Sequence, residues 1–108
     1  MKKLLILLLL VPLFSLITST LISEEFNFKK TLKLAKQGSA EAQYTIGSIY
    51  LYGMGTEISK DGKKAIKWLS LSLEQGYMYS YDTLGSVYLK GEIVPRDINK
   101  AIKLWTYA

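Results

Sequence analysis

A chain of 108 residues, 49% hydrophobic and 21% charged, has the composition of one small globular domain with little room for a large core. Neither cysteine nor histidine occurs, which excludes disulfides, thiol nucleophiles, imidazole bases and every zinc site built on those two residues. The formal net charge of +5 includes Lys2 and Lys3; the other 12 basic residues are scattered against 9 acids, with Arg96 the only arginine, so the chain carries no basic stripe for nucleic acid.

The first element is apolar. Met1-Lys2-Lys3 precedes a run from Leu4 to Ile17, broken only by Pro12 and Ser15, and then Thr18-Ser19-Thr20. A basic start, an apolar stretch and small polar residues describe a secretory signal peptide, so residues 1–22 are expected to direct export to the periplasm or the medium. Cleavage after Ser19 would place the large Ile17 at the third-last position, where a small residue is favoured. The uncharged run from Leu4 to Ile22 approaches the roughly 20 residues that span a bilayer, so an uncleaved anchor in the inner membrane is the second reading. Positive charge before the run puts the rest of the chain outside in both cases.

From Phe28 onward the sequence repeats. Gly47-Ser48-Ile49-Tyr50-Leu51-Tyr52-Gly53 recurs as Gly85-Ser86-Val87-Tyr88-Leu89-Lys90-Gly91, an offset of 38 that also relates Gly38 to Gly76. Asp61-Gly62-Lys63-Lys64-Ala65-Ile66-Lys67 recurs as Asp97-Ile98-Asn99-Lys100-Ala101-Ile102-Lys103 at an offset of 36, so the first loop carries two extra residues. In chain order, 28–37 reads as a lone helix standing in for the missing first half of a preceding unit. Ala42, Ile46, Ile49, Tyr50 and Gly53 then fall at three- and four-residue steps on one face of a helix from Ser39 to Tyr52. Asp61 is a candidate N-cap for a helix to Gln75 whose inward stripe is Ala65, Trp68, Leu69 and Ser72, and Gly76 stops it. The same pattern predicts helices from Ser80 to Lys90 and from Ile98 to the end, with Pro95 in the loop between. The domain thus runs over 28–108, as a half helix at 28–37, a repeat at 38–75 and a partial repeat at 76–108. Gly47 and Gly85 lie mid-helix, where glycine costs about 1 kcal/mol relative to alanine; their recurrence predicts a helix crossing too close for a Cβ.

The order Ala42-x-x-x-x-Gly47-x-x-Tyr50-x-x-Gly53-x-Gly55, followed by Asp61-x-x-Lys64-Ala65 and Trp68, resembles the Sel-one-like repeat, a helical-pair relative of the tetratricopeptide repeat. The resemblance covers Phe28 to Ala108. It implies an all-α fold, a short alpha-alpha superhelix or solenoid of antiparallel helix pairs, and a role in holding other proteins, in bacteria at the envelope or towards a host. Three departures bear on local packing. Ile93 replaces the second glycine of the family's G-x-G-V-P-x-D loop, the first loop carries its insertion, and Leu104 stands where tryptophan is expected, with Trp105 one place later.

No enzyme activity, metal or cofactor is expected. Gly53 and Gly55 lack the Lys-Ser or Lys-Thr that ends a phosphate-binding loop and read as a helix-stopping turn. Asp61 and Asp97 cap separate helices instead of converging in one pocket. Tyr77, Tyr79 and Tyr81 are expected just before a helix, where the first unit has Ser39, Glu41 and Gln43. Such rings serve either as contact residues or as packing on the preceding helix, with Trp68 a candidate neighbour. At the end of the chain Leu104, Trp105 and Tyr107 have no polar capping helix to cover them, and a homodimer through the C-terminal helix is expected. The candidate partner-binding residues are therefore Tyr77, Tyr79, Tyr81, Trp105 and Tyr107, for a protein or peptide partner, with membrane contact only through residues 4–22. Two alternatives stand beside this reading. One is a secreted hydrolase of the kind associated with β-lactams among cysteine-rich relatives, whose hallmark disulfide this chain cannot form. The other is a truncated fragment with no independent role.

Overall fold

The computed structural model describes residues 28–54 and 58–107. The leader at 1–22 and Gly55 lie outside the described residues. The chain divides into two compact units, Met1–Lys30 and Thr31–Ala108, and the second holds the repeats. Among the described residues there are five helices and no strand: α1 at 28–36, α2 at Ala40–Tyr52, α3 at Gly62–Glu74, α4 at Met78–Lys90 and α5 at Ile98–Tyr107. α2 packs on α3, α3 on α4, and α4 on α5. Each pair is antiparallel. The Asp61 N–H donates to the Tyr50 carbonyl near one end of the first pair, while the Ser72 hydroxyl donates to the Ala40 carbonyl at the other. In the second pair Asp97 N–H reaches Tyr88, and the Trp105 indole reaches Asp82.

The recurring Asp-x-x-Lys-Ala does the same work in both copies. The Asp61 carboxylate accepts from the Lys64 N–H at 3.1 Å and the Asp97 carboxylate from the Lys100 N–H at 3.0 Å, satisfying donors that a helix start leaves unpaired. The lysine three residues on lays its ammonium over the tyrosine of the preceding helix, 5.3 Å from the Tyr50 ring and 4.3 Å from the Tyr88 ring. Ala65 and Ala101, next in sequence, are fully buried. Because Asp61 and Asp97 bond Tyr50 and Tyr88 at the same 2.9 Å, the longer first loop rejoins the scaffold at the equivalent place.

The close crossings lie at the two mid-helix glycines. A Cβ on Gly47 would sit 2.7 Å from Leu69 Cγ and 3.1 Å from its backbone nitrogen. A Cβ on Gly85 would strike the Trp105 indole, 2.8 Å from Cε2 and closer still to Nε1. Leu69 and Trp105 are equivalent at the 36-residue offset, so the exchange of order in Leu104-Trp105 brings the tryptophan onto the crossing. In the first copy the tryptophan is Trp68, and it is only half-buried. Ile93 is accounted for in the same terms. It stands against Gly62, where a Cβ would come within 2.5 Å of Ile93 Cγ2, so the isoleucine of one repeat's loop seats on a glycine of the other.

Serine and glutamine side chains satisfy one another within the first repeat and tie it to α1 and to the second repeat. The Ser80 hydroxyl donates to Ser72 Oγ at 2.8 Å, and Ser72 donates to the Ala40 carbonyl at 2.7 Å. The Gln75 amide donates to the Gly38 carbonyl and to Gln43 Oε1, while Gln43 donates to the Ala35 carbonyl at 3.1 Å. α1 and α3 end alike. Gly38 N–H bonds Ala35 and Ser39 N–H bonds Leu34, as Gly76 bonds Leu73 and Tyr77 bonds Ser72. Gly38 and Gly76 reach these bonds at φ of 103° and 81°, where a side chain would be strained. α1 is therefore the counterpart of a second helix, not of a missing first half. The other boundary that differs from the sequence pattern is the start of α4, at Met78 instead of Ser80.

Candidate protein-interaction surface

The N-cap of α4 differs in kind from that of α2. Ser39 accepts from the Ala42 N–H at 3.2 Å, whereas Tyr77 has the same extended backbone, φ −71° and ψ 113°, and no side-chain cap bond. Its ring lies instead against Tyr44 of α2, with centroids 5.3 Å apart and planes tilted by 46°. Tyr79 completes the group at 5.6 Å from Tyr77 and 6.0 Å from Tyr44. These distances are those of tilted aromatic pairs, so the rings support one another as a continuous apolar surface built from both repeats. Tyr79 is 65% exposed, and Tyr44 and Tyr77 are half-buried. The Tyr77 hydroxyl ionises above the ordinary tyrosine value. Desolvation is the main cause, and the Glu41 carboxylate and then the neighbouring tyrosines push in the same direction.

Of the three tyrosines singled out in the sequence, two meet and one does not. Because α4 begins at Met78, Tyr79 and Tyr81 lie within its first turn instead of ahead of it. Two residues apart on a helix is about 200° around the axis, so Tyr81 faces away from Tyr79 and is half-buried. The ring partner of the group is Tyr44, which periodicity within one repeat could not reveal.

Trp105 and Tyr107 are separated in the same way. Trp105 lies across Gly85 and its indole N–H donates to the Asp82 carbonyl at 3.3 Å, so it belongs first to the repeat's own packing. Tyr107, 78% exposed, lies about 200° further round α5. What remains open beside Trp105, itself 38% exposed, is Ile98 at 47% and Ile102 at 53%. Among the described residues no group of three or more Cys, His, Asp or Glu is placed to hold a metal, and no helix is long and apolar enough to cross a membrane.

The helix-pair repeats match known proteins. A model of the Sel1 repeat matches residues 40–77 and 84–108. A sel1-like repeat-containing protein of Acanthamoeba polyphaga mimivirus is 37% identical over 75 residues, which are 69% of this chain and 14% of that protein. HRD3A of Arabidopsis thaliana, an ERAD-associated E3 ubiquitin-protein ligase component, is 32% identical over 63% of this chain and 10% of its own. The crystal structure of a protective antigen from uropathogenic Escherichia coli, displaying an SLR fold, superposes with a TM-score of 0.70 at 33% identity, over 75% of this chain and 17% of that one. The chain thus spans about a seventh or less of the length of these curated relatives. With two copies of the helix pair matched in sequence and one solved array matched in backbone, the chain belongs to the Sel1 repeat family.

Proposed function

We propose that this protein is an exported protein–protein interaction module that binds a peptide or protein segment across the surface formed by Tyr44, Tyr77 and Tyr79. Sel1 repeats are helical modules that typically mediate protein–protein contacts and generally act as non-catalytic scaffolds. The observation that carries the proposal is the three-ring surface. It spans two repeats, its exposed member Tyr79 is held by its neighbours, and tyrosine offers a large apolar body with a polar tip at low entropic cost. Export rests on the basic and apolar pattern of residues 1–22.

The test uses the full-length chain with a photoreactive aromatic residue at position 79, and the same residue at Lys67, exposed on α3, as control. A discrete adduct from position 79 and none from position 67 is expected. Equal adducts from both, or none from position 79, would remove the binding surface. A phosphatase active only outside the cytoplasm, fused after Ala108, is expected to be active; an inactive fusion present at normal amounts would remove the export.

A further inference from the structure

At the 38-residue offset Glu41 corresponds to Tyr79 and Tyr44 to Asp82, so α2 and α4 carry a carboxylate and a tyrosine at the same two positions in exchanged order. Residues three apart on a helix are separated by about 60° around its axis, so each pair shares a face. The Tyr44 and Tyr79 rings, with centroids 6.0 Å apart, bring the two pairs onto one surface. Glu41 and Asp82 are exposed, and among the described residues neither carboxylate has an ion-pair partner. The bases of the helix pairs lie elsewhere. α2 holds no lysine or arginine and α4 only Lys90, at its last position, whereas Lys63, Lys64 and Lys67 stand on α3 and Lys100 and Lys103 on α5. A chain of formal net charge +5 thus sets its tyrosine group among carboxylates, on the two helices that carry the fewest bases.

We infer that the segment bound across the three-tyrosine surface presents an arginine, whose guanidinium stacks on the Tyr79 ring and pairs with the flanking carboxylates of Glu41 and Asp82. The inference rests on the binding surface proposed above and names the chemistry of its ligand. The molecule makes the ring half of this contact twice within itself, with Lys64 over Tyr50 and Lys100 over Tyr88. Tyr44, Tyr77 and Tyr79 offer rings of the same kind, and among the described residues no cation lies over them. Negative charge reaches the group: after desolvation, the Glu41 carboxylate is the next cause that raises the Tyr77 hydroxyl. A cation placed there is attracted by ring faces and carboxylates together. Arginine suits this pairing better than lysine, because a flat guanidinium stacks on a ring and still turns its edge N–H groups to a carboxylate.

The probe is the blocked peptide acetyl-Gly-Arg-Gly-Arg-Gly-amide, with versions in which both arginines are lysine or the uncharged isostere citrulline. Each is titrated into the isotope-labelled full-length chain in a non-ionic detergent, and amide chemical shifts report where and how tightly it binds. The arginine peptide is expected to move the amides around Glu41, Tyr44, Tyr79 and Asp82, and to bind roughly tenfold or more tightly than the citrulline peptide, with lysine between them. The citrulline comparison leaves the protein unaltered, so it does not depend on any variant folding. Glu41→Gln with Asp82→Asn, both at exposed positions, should bring the arginine peptide down to the citrulline level. Equal binding of the arginine and citrulline peptides, shifts confined to α3 or α5, or indifference to the paired substitution would each overturn the inference. A discrete adduct from a photoreactive residue at position 79 beside a failed arginine titration would overturn it too, while leaving the binding surface in place; failure of both would remove surface and ligand together.

Discussion

Leu69 and Trp105 hold the same place in their repeats, each laid across the mid-helix glycine of its partner, yet Leu69 is fully buried and Trp105 keeps 38% of its surface. The difference comes from outside the pair. α3 packs on both α2 and α4 and its Leu69 is fully buried, whereas α5 packs on α4 and carries at the crossing a larger, partly exposed ring whose N–H donates to the Asp82 carbonyl. A repeated backbone can thus carry different side chains at the same crossing, one fully buried and one partly exposed.

The sharpest way to break this comparison is to truncate both residues. Leu69→Ala is expected to cost about 2–5 kcal/mol, because the side chain is fully buried at the crossing with Gly47, and to lower the midpoint of the whole thermal transition. Trp105→Ala should instead loosen α5 alone, lowering helicity at low temperature while the transition of α2 to α4 persists. Circular dichroism melts separate the two patterns, and matching losses from both variants would erase the distinction.

Gly47→Leu and Gly85→Leu come next. Leucine is the better helix former, so an uncrowded site would gain stability. Overpacking is expected to cost about 1–3 kcal/mol at Gly47, where the Leu69 backbone nitrogen lies 3.1 Å from a Cβ and cannot move aside. The cost at Gly85 should be smaller, since the half-exposed indole can swing outward. Denaturant unfolding measures both, and a stabilised Gly47→Leu would contradict the crossing.

Both crossings could be read in the sequence because a glycine inside a helix is costly and recurs only for a reason. The caps Asp61 and Asp97, and the ends of α2 and α3, were equally legible from residue types with one local role. The start of α4 was not, since Tyr77 sits where a capping side chain belongs and gives no cap signal. Nor was Tyr44. Its contact with Tyr77 joins residues of different repeats, and periodicity speaks only of faces within one helix. The replacement at Ile93 was visible as a departure, but its partner Gly62 lies in the other repeat and emerges only once α3 and the second loop are placed together.

A smaller effect is expected in the tyrosine group. The Tyr77 hydroxyl is held above its ordinary value of 10.0, so the folded state favours its neutral form. Its contribution to stability is complete below the unfolded value and is lost as pH rises through the higher folded one. Absorbance titration should show one tyrosine ionising late. Glu41→Gln should bring it part of the way down, because the carboxylate is the second cause and desolvation the first; an unchanged titration would detach Glu41 from the group.

Amide hydrogen exchange in dilute solution compares the two second helices directly. The amides around Leu69 in α3 are expected to exchange only through global unfolding, while those around Trp105 in α5 exchange through local opening, roughly tenfold faster or more. Equal protection of α3 and α5 in the dilute chain would mean that the two crossings hold their helices equally, and would contradict the difference drawn from the exposure of Leu69 and Trp105.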